Sequence, residues 1–365
     1  VIRGPGSSQY GGAAELAVVN IILKKGDDLK GFDISSGIGY SHGALSNKHI
    51  QANFGKTFKK LIFNLGGYYN QSNRSNLNLL MLDSTEIGYE KLSRIQSANF
   101  NFGIKSNNLN VSALFDRFVT QNTEDAGDVL FQGFFGSVDY TLNINDKLRI
   151  VPEISVMRQL PWYFLENEPK EIYNTKNTRL TGMITSFYKF NSKIQLITGI
   201  EYFMDASKKD VDGEVFSNNK NSISYNNFSV FAEGVLTPKF ANITVGARFD
   251  NHSEYGNAFV PRIAFTKAID DFHFKLLASR AFKAPTISNI DLNSYIVETQ
   301  PDKEIKPELT TVFELEMGYK IANKIFLVAN VFDIKIKDPI FWAPPPVDTY
   351  INLPKTGSRG AEISC

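Results

Sequence analysis

The chain has 365 residues, and its 39 Lys and Arg against 38 Asp and Glu leave a formal net charge of +1. That balance gives no basis for a nucleic-acid partner or a strongly anionic substrate. A single cysteine, Cys365, excludes an internal disulfide and a cysteine-based zinc site. The four histidines (His42, His49, His252, His273) lie too far apart to form the i, i+4 metal pair of a helix. No apolar run approaches the roughly 18 residues of a membrane helix. The aromatic load of 29 Phe, 15 Tyr and 2 Trp exceeds the needs of a soluble core and suits a β structure with one face in lipid.

The first residues form a Gly-rich stretch, Arg3-Gly4-Pro5 through Tyr10-Gly11-Gly12, followed by Val19-Asn20-Ile21-Ile22. Without Gly-Lys-Ser/Thr or a following helix pattern this is not a phosphate loop. Gly4-Pro5 and Gly11-Gly12 supply turns with special backbone angles. From residue 30 onward, period-two alternation predicts about sixteen strands of roughly 10 to 15 residues. They lie near 30–41, 47–57, 61–71, 94–105, 108–120, 130–144, 147–159, 174–190, 193–206, 223–237, 241–251, 257–269, 271–282, 307–321, 324–337 and 353–364. Strands of soluble proteins average about 5 to 6 residues, whereas a tilted membrane strand needs about 9 to 11. Helix signals are nearly absent.

Connections alternate. Tight turns fall at Lys59-Lys60, Ser106-Asn107, Asn145-Asp146, Asn191-Ser192, Pro238-Lys239, Asp270-Asp271 and Ala322-Asn323. Between them come mostly long loops, near 72–93, 121–129, 160–173, 207–222, 283–306 and 338–352, the pattern of an outer-membrane barrel with periplasmic turns and extracellular loops. On four strands taken for the count, over 98–104, 109–115, 194–204 and 228–236, one parity is free of charge, as in Phe100, Phe102 and Ile104, or Phe228, Val230 and Ala232. The other parity carries Asp116, Glu201, Asp205 and Glu233. Tyr40, Tyr68, Tyr69, Tyr140, Tyr188 and Tyr202, near strand ends, suit interfacial girdles. Pro152 and Pro261 fall inside strands and predict bulges or bends.

The N-terminal run resembles the end of the plug domain of TonB-dependent outer-membrane receptors, through Arg3-Gly4-Pro5, Tyr10-Gly11 and Val19-Asn20-Ile21-Ile22. Leu16-Ala17 stands where that family usually has Gly-Gly. Further blocks agree in order: Pro261-Arg262, Arg280-Ala281-Phe282-Lys283-Ala284-Pro285, Ile305-Lys306-Pro307-Glu308 and Gly360-Ala361-Glu362. The resemblance implies an all-β fold, a transmembrane antiparallel β-barrel with about 16 of an expected 22 strands present, joined to the C-terminal end of a plug. Residues 1–28 would be that plug end and 29–365 a partial barrel. Val1 in place of Met, and a stop at Cys365 inside an alternating stretch, read as a fragment. An open sheet of this kind would leave two unpaired edges in lipid, so stable insertion on its own is not expected.

The function implied is active import of a scarce ligand, a ferric siderophore first, across the outer membrane of a Gram-negative bacterium. It would be powered through TonB and carried out by a monomer with no cofactor, no metal site and no catalytic residues. The same motifs also serve cobalamin, haem and oligosaccharide importers. A plugless porin conflicts with residues 1–26, and a β-solenoid or adhesin with the lack of a constant repeat. By resemblance Arg3 is held by barrel carboxylates, and Glu308, with Glu314 or Glu233 as a second partner, is expected to hold it. The two tryptophans fall in long loops, as Trp162-Tyr163-Phe164 after Pro161 and Phe341-Trp342 before Pro344-Pro345-Pro346. Exposed aromatics braced by proline suit stacking on a ligand.

Overall fold

The computed structural model describes residues 2–3, 11–13, 17–18, 23–41, 44–73, 78–80, 86–88, 94–121, 127–165, 174–322 and 324–365. Its body is one antiparallel sheet whose strand order closes into a barrel. In chain order the wall strands are β1 (Gly31–Ser41), β2 (Ala44–Phe58), β3 (Leu61–Asn73), β4 (Arg94–Ser106), β5 (Leu109–Gln121), β6 (Asp128–Tyr140), β7 (Leu148–Phe164) and β8 (Thr175–Asn191). They continue as β9 (Ile194–Lys209), β10 (Ser222–Leu236), β11 (Asn242–His252), β12 (Gly256–Ile269), β13 (Phe272–Lys283), β14 (Glu308–Ile321), β15 (Ile325–Lys337) and β16 (Thr356–Ser364). Each lies within a few residues of its predicted range.

The alternation in sequence becomes alternation in space. Along β10, Ile223, Tyr225, Asn227, Ser229, Phe231 and Glu233 are buried on the lumenal side, while Phe228 and Val230 are exposed on the outer side. Along β14 the outward Phe313, Leu315, Met317 and Tyr319 alternate with the inward Glu314 and Glu316. A Lys or Arg on the lipid face at mid-bilayer costs about 2–4 kcal/mol, and these two strands keep their charges inward. Four tight turns place a residue at positive φ: Lys59, Asn107, Asp270 and Ala322.

The sheet differs from expectation in three places. First, the expected open edges are neighbours in the closed order, where β16 returns beside β1. Phe32, Ile34, Ile38 and Tyr40 of β1 and Ile363 of β16 are among the most exposed apolar side chains. Second, Pro152 causes no bulge. β6 and β7 pair as far as Asp139↔Glu153, and pairing resumes in the same register at Leu142↔Ile150, so the missing N–H interrupts the ladder without shifting it. A bulge falls instead at Pro161-Trp162, opposite Phe131.

Third, the 283–306 connection is not irregular throughout. It contains α1 (Ile287–Val297), capped by Thr286, whose Oγ1 accepts from Asn289 N at 3.2 Å. The buried residues of α1 are Asn289, Asp291 and Asn293. Asp291 accepts from Ser217 N (2.7 Å), and Asn293 donates to Lys303 O (3.1 Å) and Tyr350 O (2.9 Å) while accepting from Ile305 N (3.0 Å). Ile287 and Ile290 pack on Phe216, Ile223 and Tyr225. One short helix thereby ties together the loops 207–222, 283–306 and 338–352.

A candidate ligand chamber in the lumen

β11 supplies the centre of the site. Arg248, Asp250 and His252 share one parity and face the lumen, and Arg248 and Asp250 are each 1% exposed. Arg248 donates through Nε to Asp250 Oδ1 (3.1 Å) and Oδ2 (2.9 Å). Its Nη2 donates to Asp250 Oδ1 (2.9 Å), Ser229 Oγ (2.7 Å) and Glu201 Oε1 (2.7 Å). Ser229 and Asn227 of β10 also donate to Asp250, at 2.6 and 3.0 Å. Such a network holds a buried ion pair in one geometry because each member's bonds are largely satisfied by the others. Arg248 Nη1 is buried without a hydrogen-bond partner among the described residues.

A second pair stands on the neighbouring strands. Arg179 of β8 forms a fork with Asp205 of β9, Nε and Nη2 each at 2.6 Å, and lies over the Phe203 ring at 4.2 Å. The His252 ring stacks on Tyr255 with centroids 4.0 Å apart, and its Nδ1 accepts from Glu254 N at 3.2 Å. Burial, and then the Asp250 carboxylate, push the Tyr255 phenol up, so this residue of the β11–β12 turn keeps its proton. Together these side chains bound a cavity of about 370 Å³ that holds three carboxylates, two guanidinium groups and an aromatic corner.

The N-terminal segment reaches this chamber through Gly11 and Gly12. Gly12 O accepts from Ala284 N at 2.9 Å. Gly11 has φ +70°, and a Cβ there would stand 3.1 Å from Arg248 Nη2. A Cβ on Gly12 would stand 2.6 Å from the Phe282 ring. Gly11 is therefore favoured by its conformation and Gly12 by space.

The residues singled out in the sequence lie elsewhere. Gly4, Pro5 and the Arg3 side chain fall outside the described residues, so the proposed Arg3–Glu308 pair does too; the Arg3 backbone pairs with Ala17. Glu308 accepts from Ile340 N at 3.1 Å and lies 3.8 Å from Lys283 Nζ. Glu314 accepts from Lys275 Nζ at 2.8 Å, and Glu233 is buried beside Gly246. Trp162, Tyr163 and Phe164 end strand β7 rather than standing in a loop. Trp162 meets Phe131 edge-on at 5.0 Å, Tyr163 donates to Asp210 Oδ2 at 2.6 Å, and Phe164 is buried against Asn174. Phe341 and Trp342 do belong to the last long loop, in a hairpin (Ile340–Ala343 with Thr349–Asn352) tied to α1 by Thr349 Oγ1 donating to Leu292 O at 2.6 Å.

The site centre was legible in one respect. Arg248, Asp250 and His252 form an i, i+2, i+4 polar triplet on one strand face, a period-two signal of the same kind as Glu201 and Asp205 on β9. That the two strands' charges meet across β10 is tertiary information.

Residues 25–365 match the family model described as TonB dependent receptor-like, beta-barrel. No curated protein shows significant sequence similarity to the chain. Among solved structures the chain is similar to the siderophore receptor PirA of Pseudomonas aeruginosa (TM-score 0.71, 17% identity, 99% of this chain and 67% of that one). It is also similar to a mutant of the ferric enterobactin receptor PfeA of the same organism (0.72, 16%, 100% and 63%). A third likeness is to the ferric-catecholate import receptor Fiu of E. coli (0.70, 13%, 100% and 66%). The chain thus spans 63–67% of the length of these structures. With a family match over nearly its whole length, the chain belongs to the TonB-dependent receptor β-barrel family.

Proposed function

We propose that this protein imports a ferric siderophore across the outer membrane of a Gram-negative bacterium, with TonB supplying the energy and residues 1–28 acting as the end of its plug. The observation that carries the reading is the lumenal chamber. It lies inside a barrel wall, toward the long-loop end, and is bounded on one side by Gly11 and Gly12 and on another by the residues leading into α1. A chamber so placed takes ligand from the loop side and leaves the N-terminal segment as the movable element. A porin has no use for that contact. The Arg179 guanidinium and the Tyr255–His252 stack offer donors and an apolar face to an iron chelate, and cavities of about 300–1,000 Å³ suit small molecules. No step of covalent chemistry is required.

Tryptophan fluorescence tests ligand binding directly. Trp342 stands on the loop hairpin and Trp162 at the top of β7, so the purified receptor is expected to lose emission as one ferric siderophore from a panel of catecholates and hydroxamates is added. Trp342→Ala should reduce the quench. Saturable quenching by cobalamin or an oligosaccharide, with none by any ferric chelate, would move the assignment to that ligand.

A further inference from the structure

β12 and β13 part company above Arg262. They pair from Arg262↔Ser279 down to Ile269↔Phe272, yet β12 runs on to Gly256 and β13 to Lys283. Pro261, the first residue past the last pair, has no N–H to offer β13, although it stays opposite Ala247 of β11. Beyond the split, β13 keeps to β14 as far as Lys283↔Glu308 and leans inward. Phe282 shares parity with the outward Phe272, Phe274 and Leu276, but it is 1% exposed and packs on Ala258 and Val260, which pair with the lumenal Asp250 and Arg248.

Outside, the split leaves a groove of about 820 Å³ whose lining includes Phe259, Pro261, Ile263, Arg280 and Phe313. At its inner edge the Ser279 hydroxyl and Arg262 Nε are buried without a hydrogen-bond partner among the described residues. Arg280 is the charge that decides what fits. On β13 the outward residues read Phe272, Phe274, Leu276, Ala278 and then Arg280, and its β14 partner Thr311 stands just above Phe313, Leu315, Met317 and Tyr319. The exposed guanidinium therefore sits where the outward apolar run of β13 ends on the long-loop side, and it has no hydrogen-bond or ion-pair partner among the described residues. An unpaired arginine at a lipid boundary is satisfied by a lipid phosphate, which it binds through a fork of charge-assisted hydrogen bonds.

We infer that the β12–β13 split is a binding site for a phosphate-bearing lipid of the outer leaflet. Its phosphate rests on Arg280, its chain lies over Ile263, Ala278 and Phe313, and Phe259 and Pro261 flank the headgroup. The orientation rests on the reading that the long loops face outward from an outer membrane.

The test is native mass spectrometry of the receptor extracted in mild detergent and exchanged into micelles doped with lipid A or with its dephosphorylated form. Retention of lipid A over the dephosphorylated lipid is expected. Arg280→Gln should cut retention about tenfold, the size of one lost charge-assisted contact. Arg280→Lys should keep part of it. Ala278→Trp, which fills the groove and leaves the arginine in place, should lower retention as well. Excess inorganic phosphate should leave the bound lipid in place. Equal retention by wild type and Arg280→Gln, both migrating as heat-modifiable barrels, would overturn the site. Full displacement by inorganic phosphate would show an anion site without a chain and overturn the lipid assignment.

Discussion

Arg248→Met removes the cation at the centre of the lumenal network. Asp250 is then left 1% exposed with only the neutral donors Ser229 and Asn227, and Glu201 loses its 2.7 Å partner. Breaking a buried ion pair from one side costs about 3–5 kcal/mol, because the remaining charge stays out of water. With a urea m-value of roughly 2–3 kcal/mol/M, the unfolding midpoint should fall by about 1–2 M. Replacing both members, Arg248→Met with Asp250→Leu, removes the stranded charge as well and should recover most of that loss, so the coupling between the two positions should exceed about 2 kcal/mol. The assay is urea unfolding of the refolded receptor in detergent, followed by intrinsic fluorescence and by heat-modifiable migration. A loss below about 1 kcal/mol for Arg248→Met, or strict additivity in the double variant, would refute the reasoning. Either result would mean that the pair is solvated in practice.

Three further outcomes follow from particular contacts. Gly12→Val should unseat the N-terminal segment, because its Cβ would stand 2.6 Å from the Phe282 ring, and Phe282→Ala should restore the fit; protease access to residues 1–28 reads both. Asn293→Ala strips partners from Lys303 O, Tyr350 O and Ile305 N, so amide exchange should quicken in 303–306 and 349–352 at a local cost of about 1–3 kcal/mol. Burial pushes the Asp210 carboxyl up, but the hydrogen bonds from Lys176 and Tyr163 outweigh it and hold the group below its ordinary 3.8. With the folded value depressed, the loop tie is fully present above pH 3.8 and is lost as pH falls through the lowered value. Exchange at residues 210–214 should rise only in that acid range, and Asp210→Asn should abolish the dependence.

The wall was readable because alternation, strand length and turn chemistry agree at almost every step: β9 and β10 pair without interruption from Ile194↔Leu236 to Lys208↔Ser222, and lipid tolerates one face pattern only. Interruptions were less readable, since proline announces a lost donor but leaves the response to its neighbours. At Pro152 the ladder skips, at Pro161 it bulges, and at Pro261 two strands separate. Helix α1 escaped notice because its buried positions are Asn289, Asp291 and Asn293, the inverse of an amphipathic helix: it serves as a hub for loop backbone rather than as a core element. The chamber escaped notice for another reason. Arg179, Glu201, Asp205, Arg248 and Asp250 come from three strands, and only the closed wall turns three separate lumenal stripes into one cluster.

The central claim is TonB-driven uptake of an iron chelate, and accumulation of radiolabelled ferric siderophore tests it most directly. The assay uses receptor-deleted cells carrying this receptor, with and without functional TonB. The account predicts uptake of one chelate that stops when TonB is removed, while binding at the surface persists. Uptake that continues unchanged without TonB would contradict it and return the barrel to the class of passive pores.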